Sequence, residues 1–264
     1  MADQAILYDA SKCTGCRGCQ VACKQWNGLP ADKTEFWGTY ENPRTLTGNT
    51  WTKINFREKR ESGQVKFLFA KVQCMHCANP SCEAVCAAGA VKKSISTGLV
   101  QIDQNRCIGC KNCVAACPFG AANFSEETGT SRKCRGCPER VAAAMEPACV
   151  STCVTGALSF GVRSEIISQA KARQRELQAQ GKKAVVYGEH EVGGLRTIYV
   201  LEDEPEAYGL PGNPQIATAT VAATWAGVGV AAGLLALIPF KSFFEARERG
   251  LKEAHARSMK GGKG

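Results

Sequence analysis

The sequence predicts an α+β fold: two small lobes organised by cysteine-rich loops, a β-hairpin insertion and one C-terminal transmembrane helix. Three observations predict it. Sixteen cysteines fall into four tight groups along 264 residues. Short β-branched and aromatic runs, which read as strands, flank those groups. Residues 217–240 form a long, uncharged, mostly apolar stretch near the far end.

The first group is Cys13-x2-Cys16-x2-Cys19-x3-Cys23, and the second is Cys74-x2-Cys77-x4-Cys82-x3-Cys86. The third is Cys107-x2-Cys110-x2-Cys113-x3-Cys117 followed by Pro118. The fourth is Cys134-x2-Cys137 and, after an eleven-residue gap, Cys149-x3-Cys153. This is an internal repeat. Gly98–Asp103 reads as a strand leading into the third group and Ala157–Phe160 as one following the fourth. Lys111–Ala116 and Glu139–Met145 have helix-forming composition. Within the insertion, Thr50–Arg57 and Gln64–Ala70 read as strands turning at Ser62-Gly63. Past the last cysteine, Ser164–Gln180 reads as a polar helix capped by Ser164 and ended by Gly181. Lys183–Tyr187 and Leu195–Leu201 are expected strands. The acidic run 202–206 and the Pro/Gly-rich 209–214 read as a linker.

Such a surplus of cysteine means disulfides, metal sites or clusters. Thiols this close in sequence would make strained bridges but converge easily on a metal centre. The run Cys-x2-Cys-x2-Cys-x3-Cys-Pro is the ligand pattern of bacterial ferredoxins, whose fourth cysteine binds the other of two clusters. Three cysteines in one loop reach three corners of a cubane, while the fourth has turned into a helix pointing elsewhere. Strand, ligand loop, short helix and strand make half of a two-cluster ferredoxin, so each lobe is expected to be ferredoxin-like. Structural zinc also takes Cys-x2-Cys pairs but has no use for a third cysteine three residues later. His76 lies between Cys74 and Cys77; sixteen thiols already fill four cubanes, so it is read as a neighbour that adjusts potential. His190 and His255 read as surface residues.

Groups two and three are near enough in sequence to form one two-cluster lobe, which leaves groups one and four to close a second lobe around it. Four ligand sets follow: Cys74, Cys77, Cys82 with Cys117; Cys107, Cys110, Cys113 with Cys86; Cys13, Cys16, Cys19 with Cys153; and Cys134, Cys137, Cys149 with Cys23. The outer lobe is then 1–24 and 125–162, the insertion 25–71 and the inner lobe 72–124. The C-terminal extension and linker are 163–216. Four [4Fe–4S] clusters in adjacent lobes would make a wire, with no catalytic residue of its own.

Lys and Arg outnumber Asp and Glu by 33 to 24, a net charge of +9. Each oxidised [4Fe–4S] core with four thiolates carries about −2, so four clusters at about −8 nearly cancel that excess. Few aromatics and no nucleic-acid motif argue against a nucleic-acid partner.

The four groups in this order resemble the iron–sulfur beta subunits that accompany molybdopterin oxidoreductases. The nearest likeness is to the beta subunit of membrane-bound formate dehydrogenase. It is carried by the run from Lys12 to Asn27 around the first group, by Asn42-Pro43 through Thr50-Trp51, and by the single C-terminal hydrophobic helix. The resemblance implies a molybdenum- or tungsten-bearing catalytic alpha subunit that oxidises formate. It also implies a membrane cytochrome b (gamma) subunit that takes the electrons on to quinone. Cluster motifs alone are shared with the corresponding dimethyl sulfoxide, polysulfide and nitrate reductase subunits, so the same wire in another molybdopterin reductase (polysulfide, thiosulfate or dimethyl sulfoxide type) or a membrane hydrogenase stays open. Ala87 and Val154 stand where many members of the family have proline after the fourth cysteine; no ligand is lost.

Residues 217–240 would span about 36 Å as a helix, enough for a hydrocarbon core of about 30 Å. Gly229 and Gly233 would let another helix approach closely. The tail 241–264 carries seven Lys or Arg against three Glu, whereas the twenty residues before Ala217 hold no Lys or Arg. Basic flanks stay cytoplasmic, so the tail is expected in the cytoplasm and the cluster domain in the periplasm. Met1-Ala2-Asp3-Gln4 lacks the basic and then apolar opening of a secretory signal. Export is therefore expected alongside a signal-bearing partner.

Overall fold

The structure is a computed structural model that describes residues 3–61 and 63–216. The expected helix over 217–240 and the basic tail lie outside the described residues. Among the described residues, no helix is long and apolar enough to cross a membrane.

Along the chain run β1 (Gln4–Asp9), α1 (Gly18–Trp26) and the hairpin strands β2 (Thr52–Glu61) and β3 (Gln64–Gln73). There follow α2 (Ser81–Ala84), β4 (Val91–Lys93), β5 (Val100–Ile102) and α3 (Asn112–Ala115). Next come β6 (Asn123–Ser125), β7 (Thr130–Arg132), α4 (Pro138–Ala142) and α5 (Ala148–Ser151). The described fold closes with β8 (Leu158–Val162), α6 (Arg163–Ala179), β9 (Val185–Tyr187) and β10 (Thr197–Leu201).

A four-stranded sheet in the order β8-β1-β10-β9 organises this chain. Strands β1 and β10 pair in parallel from Ile6↔Thr197 to Asp9↔Val200, while β8 and β9 run antiparallel to them on the outside. Alternate side chains of a strand point to opposite faces, and both faces of the central pair are covered. Ala5, Leu7, Ile198 and Val200 meet Ile166, Ala170 and Leu177 of α6. Ile6, Tyr8, Tyr199 and Leu201 face the other way, into a core shared with Cys19, Met75 and Cys149. One face of the sheet therefore holds a helix and the other holds the cysteine loops.

The polar helix begins at Arg163, one residue earlier than expected, and Ser164 sits inside it, not at its cap. The Arg163 amide donates to the Asp3 carbonyl at 2.8 Å, so the residue just before β1 occupies a donor that a capping side chain would otherwise serve. Gly181, at φ +78°, follows the helix end in the left-handed region. Strand β10 starts at Thr197 because the Leu195 and Arg196 amides are committed to the Gly188 and Met75 carbonyls. Past it, Pro205–Tyr208 forms a 3-10 turn that buries Tyr208. Glu202 pairs with Lys66 at 3.5 Å and with Lys182, and Asp203 pairs with Lys59. The acidic run thus docks against the hairpin.

The β2–β3 hairpin is longer than expected, ten residues a side, in register from Thr52↔Gln73 to Glu61↔Gln64. Its base (Thr52, Lys53, Ile54, Leu68, Ala70, Lys71, Gln73) is buried among the cysteine loops. Two small hairpins follow, β4–β5 and β6–β7, and the first contributes Val91, Val100 and Ile102 to a further core with Ala90, Cys113 and Ala122.

Candidate metal centre

Each cysteine group is a loop that runs into a short helix, and its backbone is held by one recurring device. The residue immediately before the second cysteine has positive φ in all four groups: Gly15 at +68°, His76 at +47°, Gly109 at +70° and Gly136 at +76°. Arg17 and Lys111, just after the second cysteine of groups one and three, both stand at +61° and lead into α1 and α3. Left-handed residues curl the loop so that successive cysteines point inward; glycine does this without strain. At Gly109 a Cβ would stand 2.3 Å from the Gly129 carbonyl oxygen, and at Gly136 it would stand 2.7 Å from Leu99 Cδ1, so both loops press against their neighbours. In group two the same turn is made by His76, whose fully buried Nδ1 accepts the Val100 amide at 2.9 Å.

The thiols gather across groups. Cys13, Cys16 and Cys19 line one cavity with Cys153. Cys134, Cys137 and Cys149 line a second with Cys23. Cys107, Cys110 and Cys113 line a third with Cys86. Cys74, Cys82 and Cys117 are the thiols that act on Cys77, whose pKa is raised first by burial and then by those three. Every one of the sixteen cysteines is free of disulfide. No carboxylate or imidazole lines the three cavities. Among the described residues, no three His, Cys, Asp or Glu side chains stand close enough to hold a single metal ion. The thiols surround spaces instead of meeting at a point, a donor set that fits a thiolate-held cluster.

Backbone amides reach several sulfurs. The Ala90 amide donates to Cys86 Sγ and the Ala121 amide to Cys117 Sγ, both at 3.3 Å and both four residues past the fourth cysteine of their groups. The Ser131 amide stands 3.4 Å from Cys107 Sγ and the His76 amide 3.5 Å from Cys74 Sγ. Such donors favour the thiolate and tune a cluster bound to it. Burial pushes the thiols up: Cys19 to about 11 and Cys82 and Cys134 to about 12. Bare thiolates are costly here, and a cationic metal centre bound to them would offset that cost.

Sequence reasoning missed the burial of two lysines beside the thiols. Lys71 and Lys133 are 0% and 3% exposed. Lys133 Nζ donates to the Val100 carbonyl and, at 3.1 Å, to the Cys134 carbonyl. Burial lowers its pKa, but the Cys74, Cys82 and Cys134 thiols outweigh that and hold it above the usual value. The signal for Lys71 was its place in the apolar run Phe67-Leu-Phe-Ala-Lys71, with no acidic residue opposite it on β2.

Two family models, each described as a 4Fe-4S dicluster domain, match residues 12–90 and 65–163. The chain is 39% identical over 230 residues to the nitrate-inducible formate dehydrogenase iron–sulfur subunit of Escherichia coli, covering 86% of this chain and 78% of that protein. It is 36% identical to the formate dehydrogenase 2 subunit beta (cytochrome c-553) of Nitratidesulfovibrio vulgaris, covering 78% and 96%. It is 38% identical to the thiosulfate reductase electron transfer subunit of Salmonella typhi, covering 66% and 84%.

Proposed function

Because the chain belongs to the family of formate dehydrogenase iron–sulfur subunits, we propose that it carries electrons from a formate-oxidising catalytic subunit through four [4Fe–4S] clusters. The observation that carries this reading is the crossed gathering of thiols from separate groups around shared cavities.

The ligand sets are Cys13, Cys16, Cys19 with Cys153; Cys134, Cys137, Cys149 with Cys23; Cys74, Cys77, Cys82 with Cys117; and Cys107, Cys110, Cys113 with Cys86. Each cluster, when bound, takes up and gives back one electron. The chain's residues do the rest. Thiolates anchor each site, left-handed turns aim them, and amides of Ala90, Ala121 and Ser131 stabilise sulfur charge. The sheet face formed by Ile6, Tyr8 and Tyr199 keeps water from the sites beside Cys19 and Cys149.

The catalytic partner is proposed to hold a molybdopterin with molybdenum or tungsten, and a membrane cytochrome b subunit to receive the electrons. Residues 217–240 are proposed as the helix that anchors the chain beside that cytochrome, with the cluster domain periplasmic and the tail cytoplasmic. Their length, lack of charge and basic C-terminal flank support this.

Anaerobic mixing of the assembled complex with formate tests the reading. The visible [4Fe–4S] absorbance of this chain should bleach, and thiosulfate should not restore it. The likeness to a thiosulfate reductase electron transfer subunit supports a second reading, the same wire run in reverse. Clusters reduced by quinol and reoxidised by thiosulfate, but not reduced by formate, would favour that one.

A further inference from the structure

Lys71 lies on β3 with its side chain sealed from solvent at 0% exposure. Its Nζ donates to Thr52 Oγ1 at 2.8 Å and to Gln73 Oε1. Both acceptors are neutral. Among the described residues, no carboxylate forms an ion pair with it. Lys53, on the same hairpin, is the contrast: there a buried lysine has its own carboxylate, Glu41 from the segment before β2, at 2.6 Å. A buried ammonium without a counter-charge is strongly unfavourable. Something negative must stand near Lys71.

The cavities say where. Lys71 lines the space shared by Cys13, Cys16, Cys19 and Cys153. Thr52 and Gln73, the residues that accept its hydrogen bonds, line the space shared by Cys23, Cys134, Cys137 and Cys149. The ammonium therefore sits in the wall between two thiol quartets. Burial lowers its pKa, yet the thiols of Cys149, Cys19, Cys134 and Cys23 reverse that, and they come from both quartets. The site is also held firmly. The Lys71 carbonyl accepts the Tyr199 hydroxyl at 2.7 Å, and Gln73 Nε2 donates to Thr197 Oγ1 at 3.2 Å. The charge has a fixed position.

We propose that Lys71 is a counter-ion shared by two adjacent clusters, a fixed positive charge in the wall between them that raises the reduction potentials of both. This rests on the cluster assignment above. Each cluster gains one unit of negative charge on reduction while no bond forms or breaks. A nearby cation stabilises the reduced form more than the oxidised form. Because one ammonium serves both sites, it moves the two potentials together and leaves the step between them level.

Redox-poised EPR titration of the anaerobically purified holoenzyme tests this, with iron content measured on the same samples. In Lys71→Met, the reduction equilibrium constants of two clusters should fall at least tenfold, about 59 mV for a one-electron couple. The other two should move less, and iron content should be unchanged. Gln73→Glu puts a carboxylate on the same ammonium and should lower the same two potentials without removing the lysine. A fully loaded Lys71→Met protein with unmoved potentials overturns the proposal. Should Lys71→Met fail to load iron, Gln73→Glu decides: lowered potentials support the shared counter-ion and unmoved ones overturn it. A wild-type protein without cluster signals would instead sink the cluster assignment, before any variant is made.

Discussion

Lys53 and Glu41 form a buried ion pair, Nζ to Oε2 at 2.6 Å, with side chains only 3% and 8% exposed. Glu41 Oε1 also accepts the Phe56 amide at 2.8 Å, and Lys53 Nζ donates to the Arg44 carbonyl at 2.7 Å. One carboxylate thus ties the irregular segment before the hairpin to β2. Burial pulls the Lys53 pKa down, and the hydrogen bond and charge of Glu41 oppose it.

Removing only one partner strands a buried charge. Glu41→Ala should cost about 3–5 kcal/mol, read as a lowered urea midpoint of the cluster-loaded protein. The double change Lys53→Met with Glu41→Leu should cost less than Glu41→Ala alone. A double variant that is the less stable of the two would contradict this reading of the pair.

His76 makes the turn that glycine makes in the other three groups, at φ +47°, and its Nδ1 takes the buried Val100 amide at 2.9 Å. His76→Ala keeps the strained backbone and orphans that amide, so it should destabilise the protein by about 1–3 kcal/mol. His76→Gly relieves the strain and should cost less. Both variants should keep the full iron content, since the histidine serves the loop and not the metal. Loss of iron in both would make His76 a ligand.

How much of this was legible in the sequence differs from element to element. The cysteine spacings carried the loops, and the inner strand near Gly98–Asp103 shows itself by its Leu-Val-Gln-Ile alternation. The parallel pairing of β1 with β10 was hidden, because Ile6 and Thr197 meet across almost the whole described chain and nothing local specifies that register. Ser164 looked like a cap, but Arg163 takes the Asp3 carbonyl, a tertiary contact that local capping patterns do not carry. Lys71 was overlooked because an isolated lysine in a strand ordinarily reads as a solvated edge; its burial comes from the hairpin base entering between cysteine loops.

The crossed ligand sets have a distinctive consequence. Cys117→Ala should damage the cluster held by Cys74, Cys77 and Cys82, leaving that of Cys86, Cys107, Cys110 and Cys113 spectroscopically intact. Loss of the signal belonging to Cys107, Cys110 and Cys113 would mean that each group binds its own cubane.

The proposed orientation predicts that protease added to intact spheroplasts digests the cluster domain and spares a C-terminal tag. A lost tag with a surviving domain would place the wire on the cytoplasmic side.

The most direct measurement is the iron and acid-labile sulfide content of the anaerobically purified chain, taken together with EPR of the dithionite-reduced sample. Four clusters predict about sixteen iron and about sixteen sulfide per chain, with the broad, magnetically coupled signals of neighbouring [4Fe–4S] centres. Zinc bound to the thiols, or iron without labile sulfide, would contradict the account at its root.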